Sequence, residues 1–133
     1  MCLITEQQKP HIAQEDIIVY KILKKTLVSM YQFFQYKLGK LYHCEIKETN
    51  IATCFDDRDQ KILEKKYPNW DDIIPELKYF DEGFHSAISK NRLKSYVDDY
   101  HNIFKCTIPK GSEYYTEPSG LVVSNQIIIN KKA

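Results

Sequence analysis

The pattern of this chain predicts an α+β fold, a small mixed or antiparallel sheet core carrying one main amphipathic helix at 90–101 and a polar helical insertion at 56–82. Three observations carry that expectation. The run 16–23 (DIIVYKIL) is dense in β-branched residues and reads as a buried strand. Leu93, Tyr96, Val97 and Tyr100 recur at helical spacing and would form one apolar face. The runs 103–108 (IFKCTI) and 121–129 (LVVSNQIII) supply more strand after the helix.

In chain order, residues 1–15 are polar, contain Pro10 and read as an N-terminal arm. Residues 24–35 fit either a short helix or a loop. The stretch 35–44 reads as a strand broken at Gly39, where a turn or bulge is expected. Residues 45–55 continue extended on Ile46, Ile51 and Cys54. Within 56–82, Asp57 would cap a helix near 58–66, and Pro68 would end it. A second helical turn would carry Ile73, Ile74 and Leu77, so the stretch reads as an insertion or lid, or as a solvated connector. Gly83 to Ser86 reads as a tight turn, after which Ser89 or Asn91 would cap the main helix. Residues 109–112 form a turn, and Ser124–Asn125 mark a bulge in the last strand. The whole, 1–133, reads as a single domain.

Composition narrows the function classes. Hydrophobic residues make up 43% of the 133 and charged residues 28%, which excludes a disordered tail. The formal net charge is +1, and only Arg58 and Arg92 are arginines. Bidentate readout of bases or phosphates uses arginine, so specific nucleic-acid recognition is not expected. No apolar run approaches the ~20 residues of a bilayer span, and the first residues lack the pattern of a secretory signal. A cytoplasmic protein with reduced thiols is expected, that of the host cytoplasm if a phage encodes it.

The chemistry-bearing residues form no catalytic frame. Cys2, Cys44, Cys54 and Cys106 contain no CxxC pair, and His11, His43, His85 and His101 lack a metal-binding spacing. No metal or cofactor is therefore expected. The carboxylate pairs at 56–57, 71–72 and 98–99 read as solvated caps. His85, beside Phe84 and Ser86 in a turn, is the histidine placed to hook a ligand or carry a proton; the alternative is a turn histidine bonded to backbone. Ten tyrosines and six phenylalanines are the unusual feature, with Tyr31, Tyr36, Tyr42, Tyr114 and Tyr115 as candidates for a binding face.

Several segments resemble a family of short phage and gut-bacterial proteins: Met1-Cys2-Leu3, residues 12–17 leading into Tyr20-Lys21-Ile22-Leu23, residues 36–42, residues 83–86, and residues 106–112 with Tyr114–Tyr115. The resemblance implies an origin and no activity. A second resemblance, to the ADP-ribosyltransferase-like fold, lies in Tyr20-Lys21, Gly83-Phe84-His85-Ser86 and Ile108-Pro109-Lys110-Gly111, in that order. It implies that Tyr20 and Lys21 hold a dinucleotide, that Ser86 lies near the ribose, and that Glu117 polarises a hydroxyl. Lys21 stands where that family carries arginine, its Ser-Thr-Ser run is missing, and Glu117 is followed by Pro118.

Three functions are then open. The first is a non-enzymatic binding protein of a phage or mobile element that captures a host protein or a nucleotide-like ligand, as a counter-defence inhibitor would. The second is an ADP-ribosyltransferase-like enzyme or its inactive relative. The third is an accessory of virion assembly. Homo-oligomerisation is compatible with each. The binding residues expected for the first two are Tyr20, Lys21, Phe84, His85, Ser86, Lys110, Tyr114, Tyr115 and Glu117.

Overall fold

The β-branched run at 16–23 becomes the central strand of the protein. The computed structural model describes residues 3–5, 7, 9–29, 34–49, 65 and 78–133. In chain order its strands are β1 (Leu3–Thr5), β2 (His11–Ile12), β3 (Ile17–Lys24), β4 (Leu41–His43), β5 (Lys47–Thr49) and β6 (Lys78–Glu82). They continue with β7 (Phe84–Ala87), β8 (His101–Ile108), β9 (Glu113–Thr116), β10 (Leu121–Ser124) and β11 (Gln126–Lys132). Two sheets result, a small one in the order β1-β6-β5 and a large one in the order β2-β9-β10-β7-β3-β8-β11-β4. The eight residues of β3 pair along their whole length with β8, from Ile17 opposite Ile108 to Lys24 opposite His101.

The middle five strands of the large sheet curl round on one another, and β2 and β4 remain its edges. β10 and β11 are separated by Asn125 alone, yet β7, β3 and β8 stand between them in the sheet. One bent strand therefore bounds both sides of the stack, and the five strands curl into a small barrel. Asn125 holds the bend: its N–H donates to the Glu113 carbonyl at 3.1 Å, its side-chain oxygen accepts from the Glu113 N–H at 2.9 Å, and its carbonyl accepts from the Cys44 N–H at 2.9 Å.

Strand alternation sorts the side chains into two cores. Val19, Leu23, Phe84, Phe104, Cys106, Ile108, Val122, Ile127 and Ile129 point into the barrel and are buried together with Tyr36. Ile22, Ala87, Ile103, Tyr115, Leu121 and Val123 point outward, and Leu3 and Phe80 of the small sheet cover them together with Leu93. Gly83 joins the two sheets at φ +131°, and a Cβ there would collide with the Val123 side chain. Only glycine fits that crossing.

The expected α+β class is corrected: the described pairings are all antiparallel, and the described helical residues are a short 3-10 helix, Lys90–Tyr96, and Lys65. The main helix at 90–101 does not form. Leu93 is buried, but Val97 is 42% exposed and Tyr100 76% exposed, so the apolar spacing does not make one buried face. Val97 is already extended, and the Asp98 carboxylate accepts the Tyr100 N–H at 2.8 Å and meets His101 Nδ1 at 2.7 Å. The chain then enters β8 at His101, because pairing with β3 satisfies its backbone. Ser89 is the cap, its hydroxyl accepting from the Asn91 N–H at 3.2 Å. The polar helical insertion is corrected where it is described: residues 78–82 are the middle strand of the small sheet, with Phe80 buried. The helix near 58–66, the turn after Asn69 and Trp70 lie outside the described residues, apart from Lys65. Within 1–15, Leu3–Thr5 and His11–Ile12 are strands of the two sheets. Among the described residues no helix is long and apolar enough to cross a membrane.

Candidate functional site

A cleft of about 340 Å³ opens where residues 34–47 pass over Gly83 and Phe84. Its wall is aromatic. Phe34 and Tyr36 meet edge-on with centroids 4.9 Å apart, Phe34 and Tyr42 at 5.5 Å, and Tyr36 and Tyr42 at 5.0 Å. Phe84 lies 6.3 Å from Tyr36 on the barrel side. Edge-to-face packing of this kind locks rings against one another; Phe34 is exposed and Tyr42 half-buried, while Tyr36 and Phe84 are buried behind them. His43, Glu45 and Lys47 alternate along the exposed rim.

Local hydrogen bonds fix this wall. The Tyr36 N–H donates to the Leu27 carbonyl at 2.9 Å, and the Phe34 N–H donates to the Ser29 hydroxyl at 2.9 Å. Gln35 Nε2 donates to the carbonyls of Thr26 and Tyr36 at 2.8 and 2.9 Å. Leu27, which receives Tyr36, is held at φ +67°, a conformation that costs a branched residue energy and persists only under such restraint. The Tyr42 hydroxyl accepts from the Lys37 N–H at 2.8 Å, and Lys40 Nζ lies 5.2 Å from the Tyr42 ring centre. Burial, reinforced by the neighbouring Cys44 and Cys106 thiols, pushes the Tyr36 phenol well above its usual range, so it stays a neutral donor.

On β3, beside the strand that carries Phe84, sits a partly buried cation. Lys21 is on the barrel-facing side of β3, between Val19 and Leu23. Its Nζ donates to the His85 carbonyl at 2.6 Å. Burial lowers its pKa to about 8, partly offset by the thiols of Cys106 and Cys44. Burial likewise pushes Cys106 up to about 12, with Lys21 pulling the other way. His85 faces away from the barrel, with Nδ1 3.2 Å from the Gly83 carbonyl and Nε2 3.2 Å from the Phe80 carbonyl. A neutral imidazole can donate to only one of them. Burial, with Lys21 nearby, nonetheless lowers its pKa to about 4. Ser86 is 5% exposed, and its hydroxyl has no hydrogen-bond partner among the described residues.

No protein family, curated protein or solved structure matches this chain. Placement of the expected residues therefore rests on geometry alone. Lys21, Phe84, His85 and Ser86 come together on adjacent strands. Tyr20, one step from Lys21, points to the outer core. Tyr114 and Tyr115 lie on β9, Tyr114 against His11 at 5.4 Å and Tyr115 stacked on Phe80 at 4.3 Å. Lys110 is in the turn between β8 and β9, where its N–H donates to the Asp16 carboxylate at 2.8 Å. Glu117 lies in the turn after β9; it stands opposite Leu121, which faces Ala87, which faces Tyr20. Three strand spacings separate Glu117 from Tyr20, about 14 Å. The cleft adds Phe34, Glu45 and Lys47, which sequence reasoning passed over. The signal was the aromatic run 33–36 ahead of Tyr42. Among the described residues no group of His, Cys, Asp and Glu could hold a metal ion.

Proposed function

We propose that this chain is a binding protein, and that the aromatic cleft takes one small ligand with a flat ring, a class that includes nucleobases. The observation that carries the reading is the wall of four rings, Phe34, Tyr36, Tyr42 and Phe84, around a space of about 340 Å³. That volume suits one small molecule, and the accessible rings of Phe34 and Tyr42 meet at a steep angle, so a ligand can stack on one and meet the edge of the other. The transferase alternative has less support, because its two key groups, Lys21 and Glu117, stand about three strands apart rather than at one bond.

A panel of nucleobases, nucleosides and simple aromatic acids and amides, read by melting temperature and calorimetry, tests the proposal. Binders are expected, and Phe34→Ala should weaken them about tenfold without loss of fold, since that ring is 44% exposed. A panel with no binder, or full affinity in Phe34→Ala, would end it. A second reading, capture of a host protein, is favoured by the exposed Leu38 and Leu41 beside the edge strand β4. An added strand from a partner would pair with that edge. Leu41→Lys should then abolish partner binding and spare small ligands; partner binding unchanged in Leu41→Lys would count against it.

A further inference from the structure

β4 is an open edge of the large sheet. The other edge, β2, has two residues and follows Pro10, which has no N–H to offer a partner. β4 lies against β11 with Tyr42 opposite Ile127, and the Cys44 N–H donates to the Asn125 carbonyl at 2.9 Å. Backbone groups alternate in direction along a strand, so Tyr42 and Cys44 turn theirs toward β11, while Leu41 and His43 turn theirs away. Among the described residues nothing takes those outward groups. Side chains alternate as well. Leu41 and His43 are exposed on the outer face, where Leu41 ends a cross-strand row with Ile128, Thr107 and Ile18. Lys40 and Tyr42 share the other face, with Lys40 Nζ 5.2 Å from the Tyr42 ring centre. Charge is polarised along the edge: Lys37 and Lys40 precede Leu41, Glu45 follows His43, and all three side chains are exposed. None of the three forms an ion pair among the described residues.

Resting on strand addition at β4, the second reading above, we propose that β4 takes an antiparallel strand of another protein, with an apolar residue opposite Leu41 and acidic residues from Lys40 onward. An antiparallel strand makes paired, unslanted hydrogen bonds with Leu41 and His43. Its residue opposite Leu41 extends the apolar row, in which Ile18 is 44% and Leu41 50% exposed. Its residue opposite Tyr42 shares the Tyr42 face, where an aromatic or β-branched side chain makes a favourable cross-strand pair. A lysine on a sheet edge repels a basic strand and attracts an acidic one. The acid therefore gathers at the C-terminal end of the incoming strand, and a basic residue at its N-terminal end meets Glu45.

The probe is the end-blocked peptide Lys-Ser-Thr-Tyr-Val-Glu-Thr-Glu, titrated into ¹⁵N-labelled protein. It sets Val opposite Leu41 and the first Glu opposite Lys40. Its charge-reversed counterpart is Glu-Ser-Thr-Tyr-Val-Lys-Thr-Lys. In the free protein the Leu41 and His43 amides are expected to exchange hydrogen fast and the Cys44 amide slowly. The first peptide is expected to bind at least about fivefold tighter than the second and to shift and protect the Leu41 and His43 amides. Methylating the Val nitrogen should abolish binding, because that N–H points at Leu41; methylating the Tyr nitrogen should spare most of it, because that N–H points away. Lys40→Glu changes an exposed side chain and should erase the preference between peptides. Equal affinity of the two peptides, a preference that survives Lys40→Glu, or greater loss on methylating Tyr than Val would each overturn the register and charge while leaving strand addition in place. Leu41 and His43 amides unmoved by either peptide would remove strand addition itself. Protection of those amides that rises with protein concentration, without peptide, would place a second copy on the edge and overturn the partner proposed here.

Discussion

Replacing Lys21 by Met should make the protein more stable at neutral pH, and the gain should vanish in alkali. The Lys21 ammonium falls from a usual 10.5 to about 8 because it is buried. At about 1.4 kcal/mol per pH unit, the charged form costs the folded state about 3 kcal/mol. Methionine fills similar space without a charge but leaves the His85 carbonyl without its donor, at about 1 kcal/mol. A net gain of about 2 kcal/mol at pH 7 is expected. The sign with pH follows from proton counts. Between pH 8 and 10.5 the unfolded chain holds a proton that folded Lys21 has released, so the wild type gains stability relative to the variant as pH rises. The Cys106 thiol and the Tyr36 phenol act in the opposite sense, since both keep their protons in the folded state, but they are present in both proteins. Urea unfolding followed by far-UV circular dichroism at pH 7, 8.5 and 10 measures the difference. A Met variant clearly less stable at pH 7, or a gap that does not change with pH, would refute the reasoning.

Gly83→Ala should destabilise the protein by about 2–4 kcal/mol, because its Cβ meets Val123 and its φ is +131°; Val123→Ala added to it should recover part of the loss, and additive costs in the pair would show the clash is not the cause. Acid should weaken the fold as His85 charges: its folded pKa of about 4 lies below the usual 6.5, so about 3 kcal/mol present above pH 6.5 is lost as pH falls toward 4. An imidazole titrating near 6.5 by NMR would contradict that. Cys106, fully buried and raised to about 12, should resist alkylation by iodoacetamide at pH 8 and react only on unfolding, as mass spectrometry of labelled peptides can show. Asn125→Ala should cost about 1–2 kcal/mol in chemical denaturation, since the Glu113 N–H loses its acceptor at the bend; an unchanged midpoint would mean the bend holds without it.

Much of the strand content was legible in the amino-acid order. β3 lies at 17–24 within one residue of the β-branched run, β8 contains the run 103–108, and the bulge marked at Ser124–Asn125 is where the last strand bends. Gly39 sits in a turn at φ +75°. Those features are local: β-branching, alternation and glycine act on a few neighbouring residues. The helical spacing at 90–101 misled for the same reason, because periodicity says nothing of which face will find a partner. Leu93 found one on the outer face of the large sheet, while Tyr100 did not.

The sequence by itself determined which stretches favour extended backbone, where glycine turns the chain, and that the chain is rich in aromatic rings and poor in arginine. Only the tertiary structure decided that β10 and β11 lie on opposite sides of one stack, which curls the sheet into a barrel. That curl brings Phe34, Tyr36, Tyr42 and Phe84 to one opening and sets Lys21 against Ser86, residues 65 positions apart in the chain. Such meetings depend on strand register and on closure between distant segments, which no local pattern encodes.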